Sequence, residues 1–179
     1  MDESSLLLRQ IPHSIEAEQS VLGAMLIDAR CIPDVVEALT GEDFYLKANR
    51  EIYETIYTMF NFSATIDPVT VLDQMKLTGV YDENTSRSYV LQLMEITPTA
   101  ANVKEYIRIV KDKALLRRIA ETAGELTTLV QEGGETAQAV LDLAEQRVYA
   151  IRQGRSAQGL EPLSKILVDV FDQLQELSM

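Results

Sequence analysis

Residues Ile11–Asp28 read IPHSIEAEQSVLGAMLID, and this stretch predicts the first helix of a helical domain. Pro12 favours an extended approach and Ser14 is a typical N-cap residue. Glu16 and Glu18 fall in the first turns, where the helix dipole favours acidic side chains. Gly23 costs about 1 kcal/mol relative to alanine inside a helix, which indicates close packing against another backbone. Apolar side chains at helical spacing predict a buried stripe: Val21, Leu22, Met25 and Leu26.

The composition restricts the class of protein. The chain has 179 residues, of which 46% are hydrophobic, so it can bury a sizeable core. It has no apolar run of about 18 residues that could span a membrane, and its acidic N-terminus lacks the basic start of a signal peptide. Cys31 is the only cysteine and His13 the only histidine, so no internal disulfide and no structural zinc site are expected. We therefore expect a cytoplasmic protein with His13 in a surface or capping role.

The charge argues against a DNA-binding module. Sixteen Lys and Arg residues stand against 28 Asp and Glu residues, which gives a formal net charge of −12, and nonspecific affinity for DNA depends mainly on Lys and Arg that neutralise phosphates. We interpret a local basic stretch as a solvated helix face with i,i+4 pairs; contact with an acidic partner or a displaced DNA strand is the alternative. Its basic residues are Lys104, Arg108, Lys111, Lys113, Arg117 and Arg118.

Short helices are predicted throughout residues 1–99. One of them is capped by Asp67, opened by Pro68 and ended by Gly79, and its predicted buried stripe is Val69, Leu72 and Met75. The others are Ile32–Leu39, Asn49–Phe62 and Tyr89–Ile96. Because no stretch shows sustained strand alternation, the expected fold class is all-α, with residues 1–99 forming a compact helical head.

Residues 100–152 predict a long antiparallel helical hairpin. Apolar residues recur without an intervening proline from Ala100 to Glu132, which predicts one amphipathic helix of about nine turns. Gly133 and Gly134 break the pattern, and a second amphipathic helix follows. A lone two-helix hairpin buries little, so its outer apolar face needs the head or another chain, and we expect it to be the oligomerisation element.

Residues 153–179 predict a polar linker followed by a separate helix that begins at Pro162. This helix either folds back on its own domain or docks into a groove on another domain or subunit, and we favour docking. Gly154 and Gly159 have the glycine spacing of a P-loop, but Leu160 and Glu161 stand where Lys and Ser or Thr are required, so no phosphate site is expected. The apolar stripe of the docking helix is Leu163, Ile166, Leu167, Val170, Phe171, Leu174 and Leu177.

Four stretches, taken in order, carry a family pattern. They are PHSIEAEQSVLGAMLID at 12–28, EDFYLKANREIYETI at 42–56, IDPVTVLDQM at 66–75, and SYVLQL followed by TPTAANVKEYIRIVKDKALLRRI within 88–119. Together they resemble the bacterial replicative DNA helicases of the DnaB family over essentially the whole chain. The sequence departs from that family at Asn49, where a nearby histidine is frequent, and at Ser86–Ser88, where a glycine pair is usual.

The resemblance implies an N-terminal helical domain and linker helix that precede a RecA-like ATPase domain. Because of this resemblance, we expect the parent protein to be an ATP-dependent DNA helicase, of which this sequence is the N-terminal portion up to the linker helix. ATP and Mg²⁺ would bind in the absent ATPase domain, and this portion would have no catalytic, cofactor or metal site.

The resemblance also implies partners. The hairpins would pair and assemble a trimer-of-dimers collar on a hexameric ring, and the linker helix would dock on the ATPase domain of the neighbouring subunit. Primase would bind through its C-terminal domain near the junction of head and hairpin, with Tyr89, Ala120 and Leu126 as candidate contacts. A helicase loader is a further candidate partner, and DNA contact is expected to be weak or absent.

Other function classes lack support in the residues. A freestanding enzyme would need paired carboxylates that face a shared cleft, and no local spacing indicates such a pair. The alternative that stays open is a freestanding helical module that binds proteins or DNA.

Overall fold

The computed structural model describes residues 11–153, and this part of the chain is all-α, as predicted. Two short 3₁₀ turns, Ala29–Cys31 and Gly41–Asp43, accompany the helices. The helices are α1 (Ile15–Ile27), α2 (Ile32–Ala38), α3 (Lys47–Asn61), α4 (Pro68–Thr78), α5 (Ser86–Ile96), α6 (Val103–Glu132) and α7 (Ala137–Arg152). The predicted docking helix after Pro162 lies outside the described residues. Within the described range, every helix is too short or too polar to cross a membrane.

The chain divides into two compact units, residues 1–117 and 118–179. The first unit contains the hydrophobic core, to which helices α1 to α5 and the start of α6 contribute. Fully buried side chains of this core include Leu22, Met25, Phe44, Ile56 and Leu93. The predicted division into residues 1–99, 100–152 and 153–179 stays a prediction.

Local capping signals explain where several helices begin and end. The hydroxyl of Ser14 accepts a hydrogen bond from the amide of Ala17 at 3.3 Å, which confirms it as the cap of α1. The carboxylate of Asp67 accepts from two amides of the first turn of α4, and Pro68 follows it. Gly79 ends α4 in the left-handed conformation (φ 76°), which a residue with a side chain rarely adopts.

The predicted buried stripe of α4 is wrong at one position. Val69 is 76% exposed, whereas Val71, which the stripe left out, is fully buried and Met75 is 3% exposed. Apolar residues occupy several faces of this short helix, so the periodicity alone could not decide which of them faces the core.

Gly23 allows α1 and α5 to approach closely, as its position in the sequence predicts. A β-carbon on Gly23 would overlap the backbone carbonyl oxygen of Leu93 and the hydroxyl of Thr97. Both belong to the end of α5 and the residue that follows it. Glycine is therefore required here by helix packing.

The second unit contains the end of α6, a turn and α7. Gly133 has a positive φ of 66°, and the hydroxyl of Thr136 caps α7 by accepting from the amide of Ala139 at 3.2 Å. A salt bridge of 2.7 Å joins Arg147 of α7 to Glu125 of α6, so the two helices form the predicted antiparallel hairpin. No residue of α7 is buried within the described part of the chain.

Candidate partner-docking site

A buried carboxylate organises the region that contains Tyr89. Glu18 of α1 is 1% exposed, and its oxygens accept hydrogen bonds from the amides of Tyr45 (2.8 Å) and Leu46 (3.3 Å). The side-chain amide of Asn49 donates a third bond at 2.8 Å. As predicted, Glu18 lies in the first turn of α1, where the helix dipole favours an acidic side chain. Its carboxylate also binds the amide of Leu46, the N-cap residue of α3, and that of Tyr45 just before it.

Tyr89 is the outer member of the same network. Its hydroxyl donates to Oδ1 of Asn49 at 2.6 Å and accepts from Nε2 of Gln19 at 3.1 Å. The ring is half-buried, and this burial raises the pKa of the Tyr89 phenol above its ordinary value. Hydrogen bonds from α1 and α3 therefore fix the position of a side chain on α5.

A cavity of about 310 Å³ lies beside Tyr89. Buried Ile52 and Met75 give it an apolar lining, and Glu51 and Asp82 add carboxylates. Hydrogen bonds from the hydroxyl of Thr85 and from neighbouring backbone amides lower the pKa of Asp82, so this carboxylate is ionised at neutral pH. Its volume lies at the lower end of the range of ligand pockets, which is about 300–1,000 Å³.

The three candidate primase contacts are distributed over both units. Tyr89 belongs to the first unit, whereas Ala120 and Leu126 lie on the part of α6 that belongs to the second. Ala120 is exposed and Leu126 is half-buried. Their role in binding stays a prediction.

Arg117 corrects the interpretation of residues 104–118 as a solvated basic face. Its side chain is buried, and the guanidinium donates to the carbonyl oxygens of Pro12, at 2.9 Å, and Asp43. The spacing of α6 could have revealed this, because Arg117 continues the buried series Val103, Ile107, Val110 and Ala114.

The outer residues of the basic stretch are partly neutralised. Lys104 lies 3.4 Å from Asp34, and Arg108 pairs with Glu105 at 3.0 Å and with Asp112 at 3.2 Å. These exposed pairs reduce the net positive charge of this surface, and they contribute little to the stability of the fold.

The only histidine and the only cysteine of the chain, His13 and Cys31, have structural roles. His13 stacks on Tyr45 with ring centroids 4.4 Å apart, and its Nδ1 lies 2.6 Å from the carbonyl oxygen of Ile11. Cys31 is buried, and this burial raises the pKa of its thiol to about 11. Among residues 11–153, no three His, Cys, Asp or Glu side chains are grouped so that they could hold a metal ion.

Comparisons with known proteins give one consistent family. Residues 10–112 match the family described as the DnaB-like helicase N-terminal domain. The replicative DNA helicase DnaB of Geobacillus stearothermophilus is 33% identical over 169 residues, which are 93% of this chain and 37% of that protein. The DnaB protein of Mycobacterium leprae is 34% identical over 172 residues, which are 95% of this chain and 28% of that protein. The chain thus spans about a third of the length of such relatives.

Solved structures agree with this family. The N-terminal domain of DnaB helicase from Mycobacterium tuberculosis is 35% identical and superimposes with a TM-score of 0.74, covering 78% of this chain and 99% of that one. The N-terminal domain of DnaB helicase from Helicobacter pylori, at 18% identity and a TM-score of 0.57, shares the fold over 73% of this chain and 99% of that one. With the buried stripes, the glycine contact and the hairpin described above, these matches show that the chain belongs to the family of DnaB-like helicase N-terminal domains.

Proposed function

We propose that this chain is the N-terminal assembly and partner-docking part of a hexameric replicative DNA helicase, which unwinds the duplex at the replication fork of a bacterium. The relatives that it matches are replicative DNA helicases, and it aligns with about a third of their length. The whole protein would therefore be the enzyme, acting at the replisome in the cytoplasm, and this portion would build the collar and bind primase.

ATP and Mg²⁺ are assigned to the ATPase domain of the whole protein. The sequence has no P-loop lysine followed by Ser or Thr, which would grip the phosphates and the magnesium ion. Among the described residues, no cluster of acidic or imidazole ligands offers an alternative. Hydrolysis of ATP would drive unwinding, and the residues of this chain would hold subunits and partners in place.

The exposed apolar surface of the second unit carries the proposal. Val130 of α6 is 65% exposed, and Leu141 and Val148 of α7 are each 52% exposed. Several large apolar side chains left exposed on one hairpin are typical of an interface. A second copy of the hairpin would bury them symmetrically, and three such dimers would form the collar of a hexamer.

Sedimentation of the 179-residue chain tests this pairing. We expect dimers or larger assemblies at micromolar concentration, and we expect Val148→Asp to dissociate them while far-UV circular dichroism stays unchanged. The matched control is Gln146→Asp, which places the same carboxylate at an exposed polar position of α7. A wild-type chain that stays monomeric would contradict the proposal.

Primase is the proposed partner at Tyr89. Hydrogen bonds with Asn49 and Gln19 fix the position of its ring. This reduces the conformational entropy that is lost when a partner binds. The Helicobacter pylori relative was described with its interactions with primase, which supports the same partner here. Ala120 and Leu126, which belong to the second unit, are proposed as further primase contacts.

Calorimetric titration with the C-terminal domain of primase tests this surface. Tyr89→Ala should weaken binding about tenfold or more, as removal of an interface tyrosine does. Tyr89→Phe keeps the ring and loses only the hydrogen bonds, so its smaller effect would show that the ring makes the contact. Unchanged binding by Tyr89→Ala would exclude Tyr89 from the surface.

The docking helix, Leu163–Leu177, is proposed to bind the ATPase domain of the neighbouring subunit. Its apolar stripe would fill a groove there as an amphipathic helix does. Amide hydrogen exchange in this segment should be fast when the 179-residue chain is isolated. Strong protection in a verified monomer would mean that the helix packs on its own domain.

A helicase loader is a further proposed partner. A pull-down with the purified loader would test this.

A further inference from the structure

A second surface of the first unit, separate from Tyr89, has the composition of a peptide-binding groove. It is an open depression of about 630 Å³ between α4 and α5. Arg87 and Leu91 line it from α5, and both lie about 200° around that helix from Tyr89 at 100° per residue. Its position is therefore distinct from the proposed primase surface.

The walls of this groove are aliphatic and unusually exposed. Val69, which is 76% exposed, and half-buried Leu72 line it from α4, and Leu91 lines it from α5. Apolar side chains on adjacent helices that are left in water mark a contact surface.

The charges beside the groove are mainly positive. Lys76 lies over the ring of Tyr81, with Nζ 4.8 Å from the centroid, and Arg87 lies across from it on α5. Within residues 11–153, the guanidinium of Arg87 makes no salt bridge, so it can meet a carboxylate from outside. Asp73 is the one acidic residue among those that line the groove.

The charges beside the groove, and not the net charge of the chain, determine whether a carboxylate of a ligand is attracted there. The chain carries −12 overall, but physiological salt screens exposed charges beyond about 8 Å. A carboxylate within reach of Arg87 and Lys76 is therefore attracted, although the protein as a whole is acidic.

The lining excludes other kinds of ligand. The hydroxyl of Thr70 shares its one proton between the carbonyl oxygens of Thr65 and Asp67 and accepts from the amide of Asp67, so it is not free for a small polar molecule. A single-stranded nucleic acid needs open aromatic faces for its bases, whereas Lys76 covers Tyr81. An apolar wall with the cations Arg87 and Lys76 beside it fits an amphipathic peptide that carries acidic residues.

We propose that the groove between α4 and α5 binds an acidic amphipathic helix of a separate protein, with aliphatic side chains against Val69, Leu72 and Leu91 and carboxylates against Lys76 and Arg87. Residues 1–10 of this chain fit less well, because Arg9 offsets one of their two acidic residues, Asp2 and Glu3. The proposal is independent of the primase assignment.

Fluorescence anisotropy with two labelled peptides tests the proposal. The probe is the designed helix EELLDELLEEL, and its control, QQLLNQLLQQL, keeps the leucines without the carboxylates. The probe should bind the 179-residue chain in the micromolar range, and the control should bind more weakly. Equal affinity of the two peptides, or no binding by the probe, would overturn the proposal.

Substitutions locate the contact. Arg87→Gln should weaken probe binding about threefold, the usual strength of one exposed ion pair, and Arg87→Glu about tenfold, because attraction becomes repulsion. Lys111→Glu is the matched control, since it makes the same change of charge on an exposed residue of α6. Equal losses from Arg87→Glu and Lys111→Glu would mean that only net charge matters, and the proposal would be wrong.

Methyl NMR distinguishes the other occupants. The probe should shift the signals of Leu72 and Leu91 in the full chain. If deletion of residues 1–10 or of residues 154–179 shifts the same signals without any peptide, the chain's own segment fills the groove and the proposal fails. A shift that depends on protein concentration alone would identify a second copy as the occupant and would also refute it.

Discussion

Replacing Gly23 by alanine should destabilise the protein, although alanine is the better helix former. A β-carbon at this position would overlap the carbonyl oxygen of Leu93 and would lie 2.7 Å from Cβ of Thr97. Carbon atoms in contact are about 3.5–4.0 Å apart, so α1 and α5 would have to separate by about 1 Å.

The size of the effect follows from two opposing terms. Inserting a methyl group into a packed interface costs about 1–3 kcal/mol, and the upper part of that range applies because the Leu93 carbonyl is backbone and cannot rotate away. Alanine gains about 1 kcal/mol of helix propensity over glycine. The free energy of unfolding should therefore fall by about 2 kcal/mol in Gly23→Ala.

Gly124 provides the matched control. It also lies inside a helix, but a β-carbon there would have nothing within 4 Å. Urea unfolding followed by far-UV circular dichroism should show Gly124→Ala to be as stable as the wild type or more stable, by up to about 1 kcal/mol. Sedimentation must show the same oligomeric mass for all three proteins. A Gly23→Ala protein as stable as the wild type would refute the proposed close contact.

Three further predictions concern buried or hydrogen-bonded groups. Glu18→Ala leaves three donors without their acceptor, so urea unfolding should show a loss of about 3 kcal/mol, at about 1 kcal/mol for each bond; a loss below about 1 kcal/mol would contradict the network. The lowered pKa of Asp82 means that its ionised form stabilises the fold above pH 3.8 and that this stabilisation disappears as the pH falls through the lower, folded-state value. The difference in stability between the wild type and Asp82→Ala should therefore shrink in acid, and a difference that is independent of pH would refute this assignment. Burial and a pKa of about 11 should make Cys31 react slowly with a thiol reagent in the folded protein and rapidly in urea; equal rates would show that the thiol is accessible.

Much of the helical order could be predicted because its signals are local. Ser14, Asp67 and Gly79 act within one turn of their own helix, so sequence spacing is enough to identify them. The side of α4 that faces the core could not be predicted, because Val69 and Val71 offer equivalent apolar surfaces and only the neighbouring helices choose between them.

The organisation of the candidate site depends on contacts between distant residues. Glu18 and Asn49 are 31 residues apart, and Asn49 and Tyr89 are 40 apart, so no periodicity relates them. The resemblance indicated Tyr89 as a candidate, but not the network that fixes its position. Arg117 was missed for a different reason. A charged residue is unusual in a buried series unless its hydrogen-bond donors are satisfied. Here the carbonyl oxygens of Pro12 and Asp43 accept from the guanidinium of Arg117.

The carboxylate of Glu18 also affects how the first unit folds. Leu46, at the N-cap position of α3, has no side chain that can cap the helix, and the acceptor for its amide comes from α1, 28 residues earlier. An isolated α3 peptide would thus fray at its start, and the first turn of α3 would form only once α1 has docked. This dependence makes α1 and α3 a single cooperative unit, which should open together in native-state hydrogen exchange.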